Sequence, residues 1–370
     1  MIPVSSPVIT KRDIKYVTRA LTEGWVSSAG PYINQFEKKF SKFLGKKYSV
    51  ALSNGTAALE VALKALGIKE GDEVIIPNFT IISNAIAVVK LNAKFIPIDC
   101  DLNTWNMNIN EIEKKITKKT KAIIATHIYN FPLQIDKIKK ICLKHKIFLV
   151  EDAAEVLGLK YKHKQCGYYG DVSTFSFYSN KQITTGEGGM ISSNNLKILK
   201  KCRSLINLSF GEKNRFHHDD IGWNYRMTSM QAALGISQLD RIEKIVKKKI
   251  TIGKQYYQRL KKNKNIYIPA PNNKFSKNVY GVVAIVIQNR KIKIDAKKLS
   301  IILKKHNIMT RPFFWPMSEQ KVLKKFNSRH KDQFPNSKYI SKFGLYLPSS
   351  LNLKKIEIDY ICKKINDIIK

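Results

Sequence analysis

IFLVEDAAE, residues 147–155, decides the fold. An apolar run of strand-forming residues ends on two adjacent carboxylates, Glu151 and Asp152. Such a run, bounded by polar chain, reads as a strand buried in a largely parallel sheet. Ligands of open α/β sheets bind beyond the carboxyl ends of the strands, so Asp152 is expected to point into a cleft. Ala153 and Ala154 follow it, and they leave room for a plainer role, an aspartate capping a helix.

Outward from this strand, the first 200 residues alternate strand and helix patterns, the signature of an α/β domain. Toward the N-terminus, Thr10 with Asp13 forms a helix-capping signal, and Gly24 offers a stop. Phe36, Phe40 and Phe43 share one face of a second helix that ends near Gly45. Short strands are expected at 48–52, 73–76, 94–98, 121–126, 147–151, 171–177 and 190–192. Helices are expected at 56–66, 82–91 and 135–144. A single long amphipathic helix, from Met230 to about Lys248, leads out of the domain. Beyond the linker-like stretch at 269–277, a smaller α+β region holds a strand at 279–287 and helices at 295–305 and 356–369. The division expected is a large domain at 1–240 and a small one at 241–370.

The chain of 370 residues carries a formal net charge of +38. That excess suggests a polyanionic partner or steering of an anionic substrate. However, its lysines are spread along helix faces from Lys11 to Lys370, without an arginine-rich, aromatic-interleaved block, which argues against nucleic-acid binding as the main role. No run is long and apolar enough to span a bilayer. The N-terminus lacks the charge and apolar pattern of a secretory signal. Five scattered cysteines without CxxC spacing point to free thiols in a reducing cytoplasm, not to a disulfide framework or a metal site.

Two further stretches carry chemistry. Ser53-Asn54-Gly55-Thr56 lies between a strand and a helix, where free backbone amides and a hydroxyl make a phosphate site or simply a turn and cap. TFSFYSNKQITTGEGGM, residues 174–190, places Ser176 five residues before Lys181 and a glycine-rich turn just after it. Gly186-Glu187-Gly188-Gly189 serves either close approach of a ligand or an ordinary hairpin. Together they offer an acid for a ring nitrogen, a phosphate nest and a lysine able to form a Schiff base, which is what pyridoxal 5'-phosphate requires. Glu155 either reaches the cofactor's phenolic oxygen or is a solvated helix residue.

With these motifs in place, the sequence resembles the DegT/DnrJ/StrS group of sugar-nucleotide aminotransferases, of the fold type I aspartate-aminotransferase class. The similarity runs nearly end to end through EGWVSSAGPYINQFE, SNGTAAL, GDEVIIPNFT, THIYNFP, EDAAEVLG, FSFYSNKQITTGEGGM, IGWNYRMTSMQAALGISQLDRIE and TRPFFWPM. The resemblance implies a three-layer α/β domain plus a small α+β domain. It makes Lys181 the lysine that bonds the cofactor aldehyde and moves protons, and it pairs Asp152 with the ring nitrogen. Gly55, Thr56, Ala57 and Ser176 would hold the phosphate end, with Phe79 and Glu155 also at the cofactor. It implies that Asn224 reaches the cofactor phosphate of a neighbouring subunit, hence a homodimer with shared active sites.

The motif variants resemble the branch that transfers an amino group from glutamate, leaving 2-oxoglutarate, to the C4 ketone of GDP-4-keto-6-deoxymannose. A UDP- or dTDP-linked 4-keto-6-deoxyglucose is the alternative substrate, and a basic nucleic-acid-binding protein the alternative of another class. Related sugar dehydratases carry histidine in place of the lysine; this chain keeps Lys181. It departs from the family at Ile81, where an aromatic is usual and Phe79 or an aliphatic contact would substitute. It also departs at Asn130, Phe131 and Ser318, changes that bear on sugar or nucleotide specificity. The expected outcome for Lys181→Ala is complete loss of turnover in an amino-transfer assay; substantial retained activity would refute the assignment.

Overall fold

The expected alternation becomes a seven-stranded sheet in a computed structural model, which describes residues 1–129, 131–211, 213–218, 220–288, 293–329 and 332–370. Its strands are β1 (Tyr48–Leu52), β2 (Glu73–Pro77), β3 (Lys94–Ile98), β4 (Thr120–Thr126) and β5 (Phe148–Asp152). After a small hairpin, β6 (Lys160–Tyr161) and β7 (Lys164–Gln165), come β8 (Val172–Ser176) and β9 (Gly189–Ser193). Across the sheet the order is β1, β9, β8, β5, β4, β2, β3. Pairing is parallel from β3 to β8, and β9 runs against both β8 and β1.

The surrounding helices are α1 (Lys11–Thr22), α2 (Pro31–Leu44), α3 (Gly55–Ala65), α4 (Ser83–Val89), the one-turn α5 (Ile109–Ile112), α6 (Ile135–His145), α7 (Leu196–Leu205), α8 (Ser229–Leu239) and α9 (Ile242–Leu260). Successive residues of each strand serve opposite faces, as the pleat requires. Ile75, Ile123, Leu149 and Phe175 pack with Phe36 and Phe40 of α2, Ile138 of α6 and Ile236 of α8. On the other face, Val74, Ile76, Ile124 and Val150 pack with Leu59 and Leu63 of α3 and Ala85 and Val88 of α4. The result is helix, sheet, helix in three layers.

A second, antiparallel sheet has the order β10 (Ile266–Tyr267), β11 (Val283–Ile287), β13 (Gly344–Leu347), β12 (Arg311–Pro312). With it go α10 (Ala296–Lys305), α11 (Pro335–Phe343) and α12 (Lys355–Ile368). Ile285, Leu299 and Ile361 centre a separate core there. The α9 helix touches both cores, with Ile242 and Ile245 in the first and Ile252, Tyr256 and Leu260 in the second.

Local signals held where partners are local. Thr10 and Asp13 form the capping box of α1, and Gly45 closes α2 in the left-handed region at φ 78°. The long helix expected from Met230 is instead two, α8 and α9, parted at Asp240 and Arg241. Arg12 and Lys39 bind Asp240 at 2.5 and 2.6 Å, and Arg241 binds Asp13 at 2.6 Å, so charges of α1 and α2 fix the break. The strand expected from Val279 starts only at Val283, because Asn278 accepts the Tyr280 amide at 2.7 Å in a turn that leaves Tyr280 at φ 47°.

Glu151 is wholly buried on the α2 and α6 side of the sheet and accepts from the amides of Gly167, Tyr169 and Gly170 at 2.6–2.8 Å. His127 Nδ1 accepts the Leu133 amide at 3.0 Å, which leaves its Nε2–H to donate to Glu151 at 2.9 Å. Burial alone would push this carboxyl up, but His127 and the glycine amides outweigh it and hold it below the usual range. Its stabilising contribution is therefore present above the ordinary value of 4.5 and lost as pH falls through the depressed one. Glu151→Ala orphans three buried amides; the expected cost is roughly 3–5 kcal/mol in urea unfolding, and a cost below about 1 kcal/mol would show that the carboxylate does not anchor this turn.

Candidate active site

Four parallel strands deliver the candidate residues at their carboxyl ends. Asn54 and Gly55 follow β1, Ile81 and Ser83 follow β2, Asp152 ends β5 and Ser176 ends β8. All of them line one cavity of about 630 Å³, together with Thr56, Ala57, Glu155 and Lys181. Topology alone explains the convergence, because parallel strands end at one edge of the sheet.

At the phosphate-like end, Asn54 caps α3 by accepting the Ala57 amide at 2.8 Å. Ala57 therefore contributes wall and not a free donor. Gly55 and Thr56 open the helix, so their amides have no carbonyl one turn earlier within it. The Thr56 and Ser83 hydroxyls lie 2.7 Å apart. Ser176 approaches from β8, and a Cβ on Gly55 would sit 2.8 Å from its Cβ, so only glycine lets the start of α3 meet the end of β8 here. Gly189 is tight for the same reason, since a Cβ there would lie 2.5 Å from the Asn54 carbonyl. Gly186, at φ 82°, makes the turn itself. Within the glycine run, then, Gly186 makes the turn and Gly189 admits the backbone of Asn54.

Asp152 caps no helix; the residues after it turn without forming one. Its side chain is 2% exposed, and accepts from Asn84 Nδ2 at 2.9 Å and from the Ala154 amide at 3.1 Å. Thr126 donates to Asn84 Oδ1 at 2.6 Å and orients that amide. Burial raises the Asp152 carboxyl above its usual range, against the lowering pull of Asn84, Ala154 and Lys181. A buried acid in this state is stabilised by any cation brought to it.

The turn at 178–181 settles the relation of Ser176 to Lys181. Ser176 Oγ accepts the Tyr178 amide at 3.3 Å and Tyr178 carbonyl accepts the Lys181 amide at 3.0 Å, which carries both side chains into the same cavity. Lys181 is largely buried and ion-paired with Glu155, so Glu155 is no solvated helix residue.

Two expected contacts fall elsewhere. Phe79 is wholly buried among Tyr129, Phe313 and Phe314, behind the cavity and not on its wall. Ile81, 40% exposed, holds the wall position instead. Asn224 is exposed, bridges to Asn207 and does not line the cavity of its own chain. Asn130 lies outside the described residues. Phe131 is buried, and the Ser318 amide donates to Asn78 at 2.8 Å.

Several lining residues had no sequence signal of their own. Glu60, nearly buried, accepts from Lys90 at 2.8 Å and from the Tyr225 hydroxyl at 3.0 Å. Arg311, inside the quoted TRPFFWPM, lines the cavity with its guanidinium 5.9 Å from the Tyr346 ring centroid and no carboxylate partner among the described residues. Only the fold brings this arginine to the cavity that Gly55, Asp152 and Lys181 also line.

A family model described as the DegT/DnrJ/EryC1/StrS aminotransferase family matches residues 7–366. GDP-perosamine synthase of Escherichia coli O157:H7 is 38% identical over 366 residues, covering 99% of this chain and 98% of that protein. GDP-perosamine synthase of Vibrio cholerae is 36% identical over 370 residues, covering 99% of each. Among solved structures, an aminotransferase from Psychrobacter cryohalolentis superposes with a TM-score of 0.90 at 28% identity, covering 99% of this chain and 98% of that one. The Helicobacter pylori aminotransferase PseC superposes with a TM-score of 0.93 at 23% identity, over 100% and 99% of the two chains, a likeness of fold. The chain belongs to the DegT/DnrJ/EryC1/StrS aminotransferase family and is an enzyme built on the fold type I architecture.

Proposed function

We propose that this enzyme transfers an amino group from glutamate to the C4 ketone of GDP-4-keto-6-deoxymannose, giving GDP-perosamine. The observation that carries the reading is the single cavity that unites Lys181, Asp152 and the start of α3. Full-length similarity to GDP-perosamine synthases supports the sugar and its nucleotide.

The residues present fit pyridoxal phosphate. The Gly55–Ser176 approach and the Thr56, Ser83 and Ser176 hydroxyls suit its phosphate, and the raised Asp152 suits its protonated ring nitrogen. When bound, the cofactor supplies an electron sink that makes the hydrogen on the donor's α-carbon acidic. Lys181 takes that proton from glutamate in the first half-reaction and returns one to sugar C4 in the second. Glu155 holds the Lys181 ammonium when the lysine is not bonded to the cofactor. Arg311 gives the donor carboxylate a planar, two-pronged partner.

We take the working unit to be a homodimer. Asn224 is exposed and does not line its own cavity, and Phe216 and Ile221 nearby are each 78% exposed, an apolar surface that a second copy would cover. We place the domain boundary at 240/241, where α8 gives way to α9. Five free, buried cysteines suit the cytoplasm. No helix among the described residues is long and apolar enough to cross a membrane.

The deciding experiment follows the visible spectrum of the purified enzyme with pyridoxal phosphate as glutamate is added, then screens GDP-, UDP- and dTDP-linked keto sugars. A cofactor band that glutamate bleaches, and amino sugar formed from the GDP substrate, are expected. Product from only the UDP or dTDP sugar would reassign the substrate, and no band at all would refute the reading.

Arg311→Ala should keep the cofactor band and raise KM for glutamate about ten- to a hundredfold; an unchanged KM removes Arg311 from the donor site. For Asp152 the sign runs the other way from Glu151. Its raised folded value means that its contribution is complete below the ordinary 3.8 and is lost as pH rises through the raised one. Asp152→Asn should therefore unfold at a higher temperature than the cofactor-free parent at neutral pH, while turnover falls roughly 10²–10³-fold. A variant with unchanged turnover contradicts the role.

A further inference from the structure

A second, much smaller chamber also touches Lys181. Its volume is about 20 Å³, enough for one water-sized molecule. Its walls come from the N-terminal residues Ser5–Val8, the lysine turn at 179–184, Gln238, Lys249 and the Ser350–Leu351 turn after β13. Three of the wall side chains carry a buried oxygen with no hydrogen-bond partner among the described residues: Asn180 Oδ1, Gln182 Oε1 and Ser350 Oγ. Gln182 and Ser350 are 4% and 3% exposed. An orphan buried oxygen is costly, and native proteins satisfy such groups with protein or ordered water.

The chemistry of the walls selects the occupant. Two amide oxygens accept and cannot donate, so they reject an anion. The two lysines that line the chamber, Lys181 and Lys249, reject a metal cation. Water meets every demand: its two O–H groups serve Asn180 and Gln182, and a lone pair accepts from the Ser350 hydroxyl. We infer that one ordered water occupies this chamber and fixes the turn that carries Lys181. Asn180 and Gln182 flank the lysine on either side, and Gln182 Nε2 donates to the Glu155 carbonyl at 3.1 Å. Through the water, both flanks are tied to Ser350, which belongs to the C-terminal sheet region. Ser350 is thus a positioning residue for Lys181. This effect on turnover rests on the aminotransferase reading; the water site does not.

The test is a crystal structure of the cofactor-loaded enzyme at a resolution that shows ordered solvent, with kinetics of Ser350→Val and Ser350→Thr. A water peak within about 3.2 Å of at least two of the three oxygens is expected, and a chamber without one overturns the site. Ser350→Val removes the hydroxyl and fills the space; it should lose the water and lower kcat about three- to tenfold with the glutamate KM and the cofactor band retained. Ser350→Thr, which keeps a hydroxyl but adds the same bulk as valine, should also lose the water and lower kcat, which separates loss of the water from loss of the hydroxyl. Should the valine variant not fold, Ser350→Ala takes its place; it removes one of the water's three partners and adds no bulk, so a weaker water peak and a smaller fall in kcat are expected, and an unchanged kcat here too overturns the positioning role. An unchanged kcat in a variant shown to lack the water overturns the positioning role. A parent enzyme without a cofactor band would instead defeat the aminotransferase reading, and leave the water peak to be judged by itself.

Discussion

Two adjacent carboxylates at the end of β5 look in opposite directions, and most of the site follows from that. The pleat sends Glu151 into the face shared with α2 and α6, where three backbone amides and His127 satisfy it. It sends Asp152 into the cavity, where neutral donors support it less fully. A shift of one residue in register would exchange the two environments. The turn that Glu151 anchors leads directly into β8, which ends in Ser176 and leads on to Lys181. One buried carboxylate thus registers the strand and the turn on which the other carboxylate's chemistry relies.

The cavity is assembled by backbone approach as much as by side chains. Gly55 against Ser176 and Gly189 against Asn54 bring β8, β9 and the start of α3 closer than any residue with a Cβ permits. The second sheet adds to the wall through Arg311 of β12 and Tyr346 of β13. Stability is given up at Asp152, whose burial disfavours its charge, and regained where a cation meets it. Glu151 shows the opposite balance, and the contrast separates a carboxylate that holds the fold from one that awaits a ligand.

Features with local causes were legible in the chain. The Thr10–Asp13 box needs only residues three apart, and Gly45 needs only a left-handed turn after a helix. The lysine, the serine before it and the glycines after it were legible because they lie within one short stretch. The break between α8 and α9 was not, since the charges that hold Asp240 and Arg241 come from Arg12, Asp13 and Lys39, some two hundred residues earlier. Which of Phe79 and Ile81 reaches the cavity wall was not legible either, because a turn that exposes one of two near neighbours is set by what packs around it. Asn84 and Thr126, which support Asp152, gave no signal as isolated polar residues on their own elements.

By itself the sequence determined the fold class, through the period of its apolar residues, and the identity of the reactive groups, through residue types that few other chemistries need together. Tertiary structure alone decided which of those groups share a space. Burial, which sets whether a carboxylate resists or welcomes a proton, depends on atoms contributed from every part of the chain. The partnership of Lys181 with Glu155, the exclusion of Phe79 from the wall and the arrival of Arg311 are of that kind. They arise where parallel strands end at a common edge and a second sheet closes over it.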